Sequence, residues 1–141
     1  MDSAPDEARL IRTARTVNDS KPHWVIERVE RAAKRFKEPV IACLGLAFKA
    51  NIDDLRESPA VEITADLAKR YPGCVLAVEP NISELPARLK GELQLCALNE
   101  ALLRADVIVV LVDHTPFKNV DPIRLQTKVV IDTRGMLSRH G

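Results

Sequence analysis

Three basic side chains, Lys49, Arg56 and Arg134, lie in segments that directly follow stretches of strand-like sequence. A guanidinium can hold an anion through two parallel hydrogen bonds, and a lysine ammonium supplies a compact point charge. Such a set suits a ligand that carries phosphate, particularly near helix N-termini. The alternative is a solvated loop face, because acidic residues surround these cations. The balancing acids are Asp53, Asp54, Glu57 and Asp132.

The turn after the first of these stretches has only part of a nucleotide-binding sequence. It reads Gly45-Leu46-Ala47-Phe48-Lys49, and one glycine does not make G-x-G-x-x-G. A dinucleotide pyrophosphate should therefore not lie on this turn in the usual way. Glu79 stands where a ribose-binding acid would follow a strand, which is a weak signal without the glycines. His114 is interpreted as a loop residue, since no serine or cysteine nucleophile elbow accompanies it.

The elements that must position these residues alternate between strand and helix after Pro39. Predicted strands cover 40–47, 74–78, 93–98, 107–112 and 129–131. Predicted helices cover 59–71, 82–89 and 99–105, with a helical turn at 122–126. Ser58 and Asn99 are the cap candidates of the first and third helices. Alternation of this kind predicts an α/β fold, a three-layer Rossmann-like parallel sheet, with the loops after its strands on one edge.

The first part of the chain is predicted to be a helical arm over residues 6–37. Pro22 either kinks one long helix or begins a second one after the cap candidate Ser20. The sequence thus divides into an arm at 1–38 and an α/β domain at 39–141. One hypothesis is that the arm exposes Val25, Val29 and Phe36 and uses them either to pair two chains or to dock on other domains.

Composition excludes several classes of function. The 141 residues carry a net charge of +1 and only 4% aromatic residues, which argues against nucleic-acid and membrane partners. The acidic start lacks an apolar signal core, so a cytoplasmic location is expected. Cys43, Cys74 and Cys96 have no metal-ligand spacing and are interpreted as buried thiols, so no metal site is expected.

The segment Gly45 to Ala60, GLAFKANIDDLRESPA, closely resembles a hallmark of the UDP-glucose/GDP-mannose dehydrogenase family, in its C-terminal UDP-binding domain. ARTVND at 14–19 is similar to the end of the family's central dimerisation helices, and IDTRG at 131–135 to its last strand and turn. VEPNI at 78–82 and LVDH at 111–114 narrow the resemblance to members that oxidise UDP-N-acetyl-D-mannosamine.

The resemblance implies a role for each basic residue. Lys49 matches the lysine that holds the nucleotide sugar, and Phe48 lines the same site. Arg134 matches a basic residue that contacts the UDP-sugar. Arg56 matches an arginine that reaches NAD bound on another domain. The implied parent enzyme makes two NAD-dependent hydride transfers that turn the sugar C6 alcohol into a carboxylate, in polysaccharide biosynthesis.

The family's NAD domain, catalytic cysteine and catalytic lysine have no counterpart in this sequence. The chain is therefore expected to be the C-terminal third of such an enzyme, cut or naturally truncated, without catalytic residues and inactive alone. The missing domains would be its partners, and a homodimer through the arm is expected. Two alternatives stay open: a UDP-glucose or UDP-N-acetylglucosamine substrate, and a non-catalytic nucleotide-binding or dimerisation module.

Overall fold

The computed structural model describes residues 12–13, 22–47, 55, 58–87, 89–91 and 93–133. Within them the chain forms a parallel sheet with helices on both faces, as the sequence predicts, and this sheet has six strands where five were predicted. The strands are β1 (Arg12–Thr13), β2 (Ile41–Leu44), β3 (Val75–Val78), β4 (Gln94–Leu95), β5 (Val107–Val110) and β6 (Val129–Asp132). The helices are α1 (Pro22–Ala33), α2 (Pro59–Arg70), α3 (Leu98–Arg104) and α4 (Thr115–Lys118), with a 3₁₀ turn at Pro122–Leu125.

The strand order is β1-β6-β5-β2-β3-β4. The chain moves outward from β2 through β3 and β4, then crosses back to β5 on the other side. The change of direction falls between β2 and β5, and open α/β sheets bind their ligands at the carboxyl ends of the strands beside such a point. The register aligns Leu44 with Val110 and Val110 with Asp132, so the turns after these strands leave the sheet at one level.

The central strands are apolar throughout because both of their faces are covered. Ile41 and Cys43 of β2 face the layer that contains α1 and α2, and Ala42 and Leu44 face the layer that contains α3. All four residues of β2, β3, β5 and β6 are buried.

The first part of the chain differs from the predicted continuous helix. Arg12–Thr13 pairs with Val129–Val130 as an edge strand, so tertiary pairing overrides the helical stripe there. α1 begins at Pro22, as a proline at the first helical position favours.

The prediction that the arm exposes an apolar face is wrong. Val25 and Val29 are 0% exposed and lie in the core with β5 and β6, while Phe36 packs partly buried against the same cluster. α1 therefore covers one face of this chain's own sheet and offers neither valine to a second chain.

Three smaller expectations also fail. Residues 82–87 and 89–90 form bends and turns instead of a helix, because Pro86 lacks an amide hydrogen and disfavours helical geometry before it. The N-cap of α3 is Ala97, and Asn99 instead accepts a hydrogen bond from Arg124 at 2.8 Å. Of the cysteines, only Cys43 is buried; Cys74 and Cys96 flank short strands and are partly exposed.

Candidate functional site

The turn after β2 begins with a backbone conformation that requires glycine. Gly45 has a φ of 102°, and a Cβ there would lie 2.5 Å from Cβ of Val112. Its amide donates to the carbonyl of Val78 at 2.7 Å, which continues the β2–β3 ladder. The close approach lets the turns after β2 and β5 pack side by side at the point where the strand order reverses.

A carboxylate occupies the interior of this turn. Glu79, the first residue after β3, is 3% exposed and accepts the amides of Leu46 and Ala47 on Oε1 at 2.8 and 3.0 Å. Its Oε2 accepts the backbone amide and the side-chain Nδ2 of Asn81, both at 3.0 Å. Each oxygen therefore accepts at least two hydrogen bonds from this chain, which is how a buried carboxylate is normally stabilised.

His114 completes the arrangement from the other side of β2. Its Nε2 lies 2.8 Å from Oε1 of Glu79, and both side chains are fully buried. Nδ1 lies 3.5 Å from Nδ2 of Asn81. An Nε2-protonated imidazole that donates to Glu79 and accepts from Asn81 fits both contacts, a tautomer assigned from the partners.

The hydrogen bonds decide the ionisation state of Glu79. Burial alone would raise the pKa of this carboxyl, but hydrogen bonds from His114 and from the amides of Leu46 and Asn81 outweigh it. The net effect is a lowered pKa, so Glu79 is a carboxylate at neutral pH.

An apolar cleft of about 320 Å³ lies beside the pair, at the carboxyl ends of β3 and β4. Phe117 of α4 forms part of its wall and meets the His114 ring edge-on, with centroids 5.4 Å apart. The helix α4, which the sequence did not predict, thus packs an aromatic ring against the imidazole.

Ser58 joins the two ends of the segment that follows the turn. Its Oγ accepts the amide of Ala60 at 3.2 Å, which caps α2 as predicted, and donates to the carbonyl of Ala47 at 3.1 Å. Ala47, in the turn after β2, and Ser58, the N-cap of α2, therefore lie next to each other. A second anchor lies after β6, where Thr133 Oγ1 donates to the carbonyl of Val110 at 2.6 Å.

These contacts exclude a dinucleotide pyrophosphate from the turn. In a nucleotide-binding turn the free amides point at the ligand phosphates, whereas here the amides of Leu46 and Ala47 already donate to Glu79. Both oxygens of Glu79 already accept hydrogen bonds from this chain, so Glu79 is not free to bind a ribose. The comparison of Glu79 with a ribose-binding acid is therefore wrong. The described residues do not fit NAD at this position.

Residues 42–139 match the family model described as UDP-glucose/GDP-mannose dehydrogenase family, UDP binding domain. The chain belongs to this family. The match spans the sheet from β2 to β6, so the Gly45 turn and its Glu79–His114 pair belong to the family's UDP-binding domain.

Curated relatives of the dehydrogenase family match nearly the whole chain. A protein of Ralstonia nicotianae named NDP-N-acetyl-D-galactosaminuronic acid dehydrogenase is 62% identical over 138 residues, covering 98% of this chain and 32% of the relative. A UDP-N-acetyl-D-mannosamine dehydrogenase of Salmonella typhi is 51% identical, covering 94% of this chain and 33% of the relative. The chain thus spans about a third of the length of these relatives.

Solved structures of dehydrogenases share the fold. A UDP-glucose dehydrogenase of Pyrobaculum islandicum superposes with a TM-score of 0.73 at 24% identity, over 85% of this chain and 27% of that one. A UDP-D-ManNAc dehydrogenase of Pyrococcus horikoshii gives 0.65 at 25% identity, over 82% of this chain and 27% of that one.

The four residues expected to bind ligands, Phe48, Lys49, Arg56 and Arg134, lie outside the described residues. Their chain neighbours Ala47, Leu55 and Thr133 are described. What sequence reasoning missed is the Glu79–Asn81–His114 cluster. The sequence signal for this cluster was an acidic residue directly after the apolar strand β3 and a histidine shortly after the apolar strand β5. These two strands lie on either side of β2 in the sheet.

Among the described residues, no group of three or more potential metal ligands occurs. The same residues include no helix that is long and apolar enough to cross a membrane.

Proposed function

We propose that this chain is the UDP-sugar-binding part of an NAD-dependent UDP-N-acetyl-D-mannosamine 6-dehydrogenase. The observation that carries the proposal is the family match over 42–139, together with 51% identity to a named UDP-N-acetyl-D-mannosamine dehydrogenase across 94% of the chain. The reaction oxidises the sugar C6 alcohol through the aldehyde to the carboxylate. It removes four electrons, which corresponds to two hydride transfers to NAD.

A second sugar is favoured by a specific observation. The 62% identity to the Ralstonia nicotianae relative makes an N-acetyl-D-galactosamine-derived sugar the rival substrate. Both names denote an N-acetylated sugar, whereas the UDP-glucose dehydrogenase of Pyrobaculum islandicum, at 24% identity, supports the fold alone. We therefore favour an N-acetylated UDP-sugar over UDP-glucose, and UDP-N-acetylglucosamine, which is also N-acetylated, stays an alternative.

In this proposal Lys49 and Arg134 bind the diphosphate of the UDP-sugar, and Phe48 contacts the same ligand. Support comes from the described neighbours. Ala47 and Thr133 follow β2 and β6, which flank β5, so they leave the same edge of the sheet about 10 Å apart at the usual strand spacing. Lys49 and Arg134 follow these residues closely in the sequence, and charge-assisted hydrogen bonds from them to a diphosphate would supply the affinity.

Arg56 is assigned to NAD held by another domain. It stands two residues before Ser58 in the sequence, and the hydroxyl of Ser58 donates to the carbonyl of Ala47, the residue that precedes Phe48 and Lys49. NAD supplies the hydride acceptor, and its main binding site is proposed to lie in the part of the parent enzyme that this chain lacks.

The 141-residue chain alone is proposed to bind UDP and to leave NAD unreduced. A homodimer stays part of the proposal, but its interface cannot use Val25 or Val29, which are buried in this chain's own core. The polar face of α1, which exposes His23, Glu27 and Arg31, is what α1 presents to a partner. The cytoplasmic location and the role in polysaccharide biosynthesis stay predictions.

Calorimetric titration of UDP into the wild-type chain and two lysine variants tests the proposal. Lys49→Ala should lose about 1.5–3 kcal/mol of binding free energy, the usual contribution of a charge-assisted hydrogen bond. Lys69→Ala, an exposed lysine near the end of α2, is the matched control and should bind like wild type. Equal affinities of all three proteins would remove Lys49 from the site, and NAD reduction by the chain would refute its inactivity.

A further inference from the structure

The proposed function gives no task to Glu79, a carboxylate whose residue is 3% exposed. The described residues that it contacts, Leu46, Ala47, Asn81 and His114, are not among those assigned to UDP or NAD. A buried charge is costly unless its hydrogen bonds are complete, and apolar residues often pack such a position equally well. The arrangement therefore calls for a reason beyond filling space.

What Glu79 does locally is fix the direction of two peptide groups. Oε1 accepts the amides of both Leu46 and Ala47, which are 0% and 1% exposed. Buried amides need a partner, and no neighbouring strand continues beside them to provide one. The carboxylate takes the position that a ligand phosphate would take in a nucleotide-binding turn, and it is supplied by the chain itself.

Two further groups hold the carboxylate in place. His114 contacts Oε1 from the turn after β5, and Asn81 binds Oε2 through its backbone and its side chain. β3 and β5 flank β2 on opposite sides. The Glu79–His114 contact therefore passes over the end of β2 and holds the turn from both neighbours.

Ala47 is fixed at both of its polar groups. Its amide donates to Glu79, and its carbonyl accepts from Ser58 at the start of α2. Phe48 and Lys49 are the next residues in the sequence. Glu79, which is 32 residues away in the sequence, thus helps to fix the position and direction of the backbone just before Phe48.

We propose that Glu79, oriented by His114 and Asn81, is a positioning residue for the UDP site, acting through Leu46 and Ala47 on the segment that carries Phe48 and Lys49. The inference rests on the proposed function. Preorganisation of this backbone lowers the ordering cost of binding, so its loss should weaken UDP affinity even in a folded protein.

UDP titration of four variants of the 141-residue chain, below the unfolding temperature of each, tests the role. Glu79→Gln keeps one acceptor oxygen but replaces the other with a donating amide, and at least two donors converge on either position. His114→Leu removes the imidazole donor to Oε1. Each should weaken UDP binding about tenfold, the affinity change that matches one charge-assisted hydrogen bond. His114→Gln returns a nitrogen donor near the Nε2 position and should restore most of the affinity.

Val29→Ala separates positioning from general destabilisation. It removes buried volume in α1 and changes none of the hydrogen bonds of the Glu79 cluster, so it should lower the unfolding temperature and leave UDP affinity unchanged. If folded Glu79→Gln and His114→Leu bind UDP like wild type while Lys49→Ala binds weakly, the positioning role is overturned and the proposed UDP site stands. If Glu79→Gln does not fold, the Leu and Gln variants of His114 decide. A wild-type chain that does not bind UDP overturns both proposals.

Discussion

The Nε2 atom of His114 lies 2.8 Å from Oε1 of Glu79, with both side chains completely buried, across the end of the strand between their own strands. The contact joins the turns after β3 and β5 above the turn after β2. This edge of the sheet therefore has an internal anion at the position where dinucleotide-binding folds receive a phosphate. The domain's ligand must be held by other groups, and the basic residues next along the chain are the candidates.

Glu79→Gln should destabilise the fold in a pH-dependent way. Replacing a buried carboxylate that accepts several hydrogen bonds leaves some of its donors without a full partner, which costs about 1–3 kcal/mol near neutral pH. Because folding lowers the pKa of Glu79, the stabilisation is present above about pH 4.3, the pKa of an unfolded glutamate, and is lost as pH falls through the lower folded pKa. Urea unfolding of wild type and variant at several pH values measures the difference.

Glu30→Gln is the control for that experiment. Glu30 pairs with Arg70 at 2.7 Å on the surface, with 38% of its side chain exposed, so its loss should cost less than about 1 kcal/mol. A pH-independent difference between wild type and Glu79→Gln would contradict the ionised state assigned to Glu79.

Gly45→Ala should lower the free energy of unfolding more than Gly73→Ala does, although both glycines have a positive φ. At Gly45 the added Cβ meets Val112 at 2.5 Å, so steric overlap adds about 1–3 kcal/mol to the cost of a positive φ. Gly73→Ala has a φ of 77° but open space around the new Cβ, and should cost only about 1–2 kcal/mol. Thermal unfolding ranks the two, and equal losses would show that Val112 moves away freely.

Ser58→Ala removes two buried contacts at once. It deletes the cap of α2 and leaves the carbonyl of Ala47 without its side-chain donor, so a loss of about 2 kcal/mol is expected. Asp121→Ala, which removes the exposed cap of the 3₁₀ turn, should cost about 1 kcal/mol or less. Denaturant midpoints of the two variants make the comparison, and a smaller effect at Ser58 would argue against its junction role.

Thiol labelling should separate the three cysteines. Burial raises the pKa of Cys43 to about 12, so this thiol should stay unlabelled in the native protein. Cys74 and Cys96 are partly exposed and should react with a disulfide reagent, Cys96 more slowly because burial also raises its pKa. Mass spectrometry of peptides after native and denatured labelling reads out each site, and rapid native labelling of Cys43 would refute its place in the core.

Much of the fold could be predicted because each central strand is short, apolar and bounded by clear helix signals. The helix after Ser58-Pro59 starts where the cap and the proline place it. Two predictions failed for different reasons. Pro86 prevents the helix predicted at 82–89, which is a local effect. Arg12–Thr13 forms an edge strand because it pairs with β6, and residues near it in the sequence do not indicate that pairing. Burial of Val25 and Val29 depends on where α1 docks, which periodicity does not specify.

The site was only partly within reach of the sequence. Gly45 and Ser58 could be placed because turns and caps have strong local preferences. The Glu79–His114 pair could not, because it depends on β3 and β5 both neighbouring β2, and strand order is a property of the whole topology. Glu79 was instead compared with a ribose-binding acid, an interpretation that the hydrogen bonds from Leu46 and Ala47 exclude.

Backbone NMR shifts during UDP titration test most directly whether the ligand binds at the carboxyl edge of the sheet. The proposed site predicts that the largest changes occur at the amides of Ala47, Ser58 and Thr133. Val40 and Lys128, which lie before β2 and β6 at the opposite edge, should change little. Saturating UDP that shifts the amides of Val40 and Lys128 and leaves those of Ala47 and Thr133 unchanged would contradict the account.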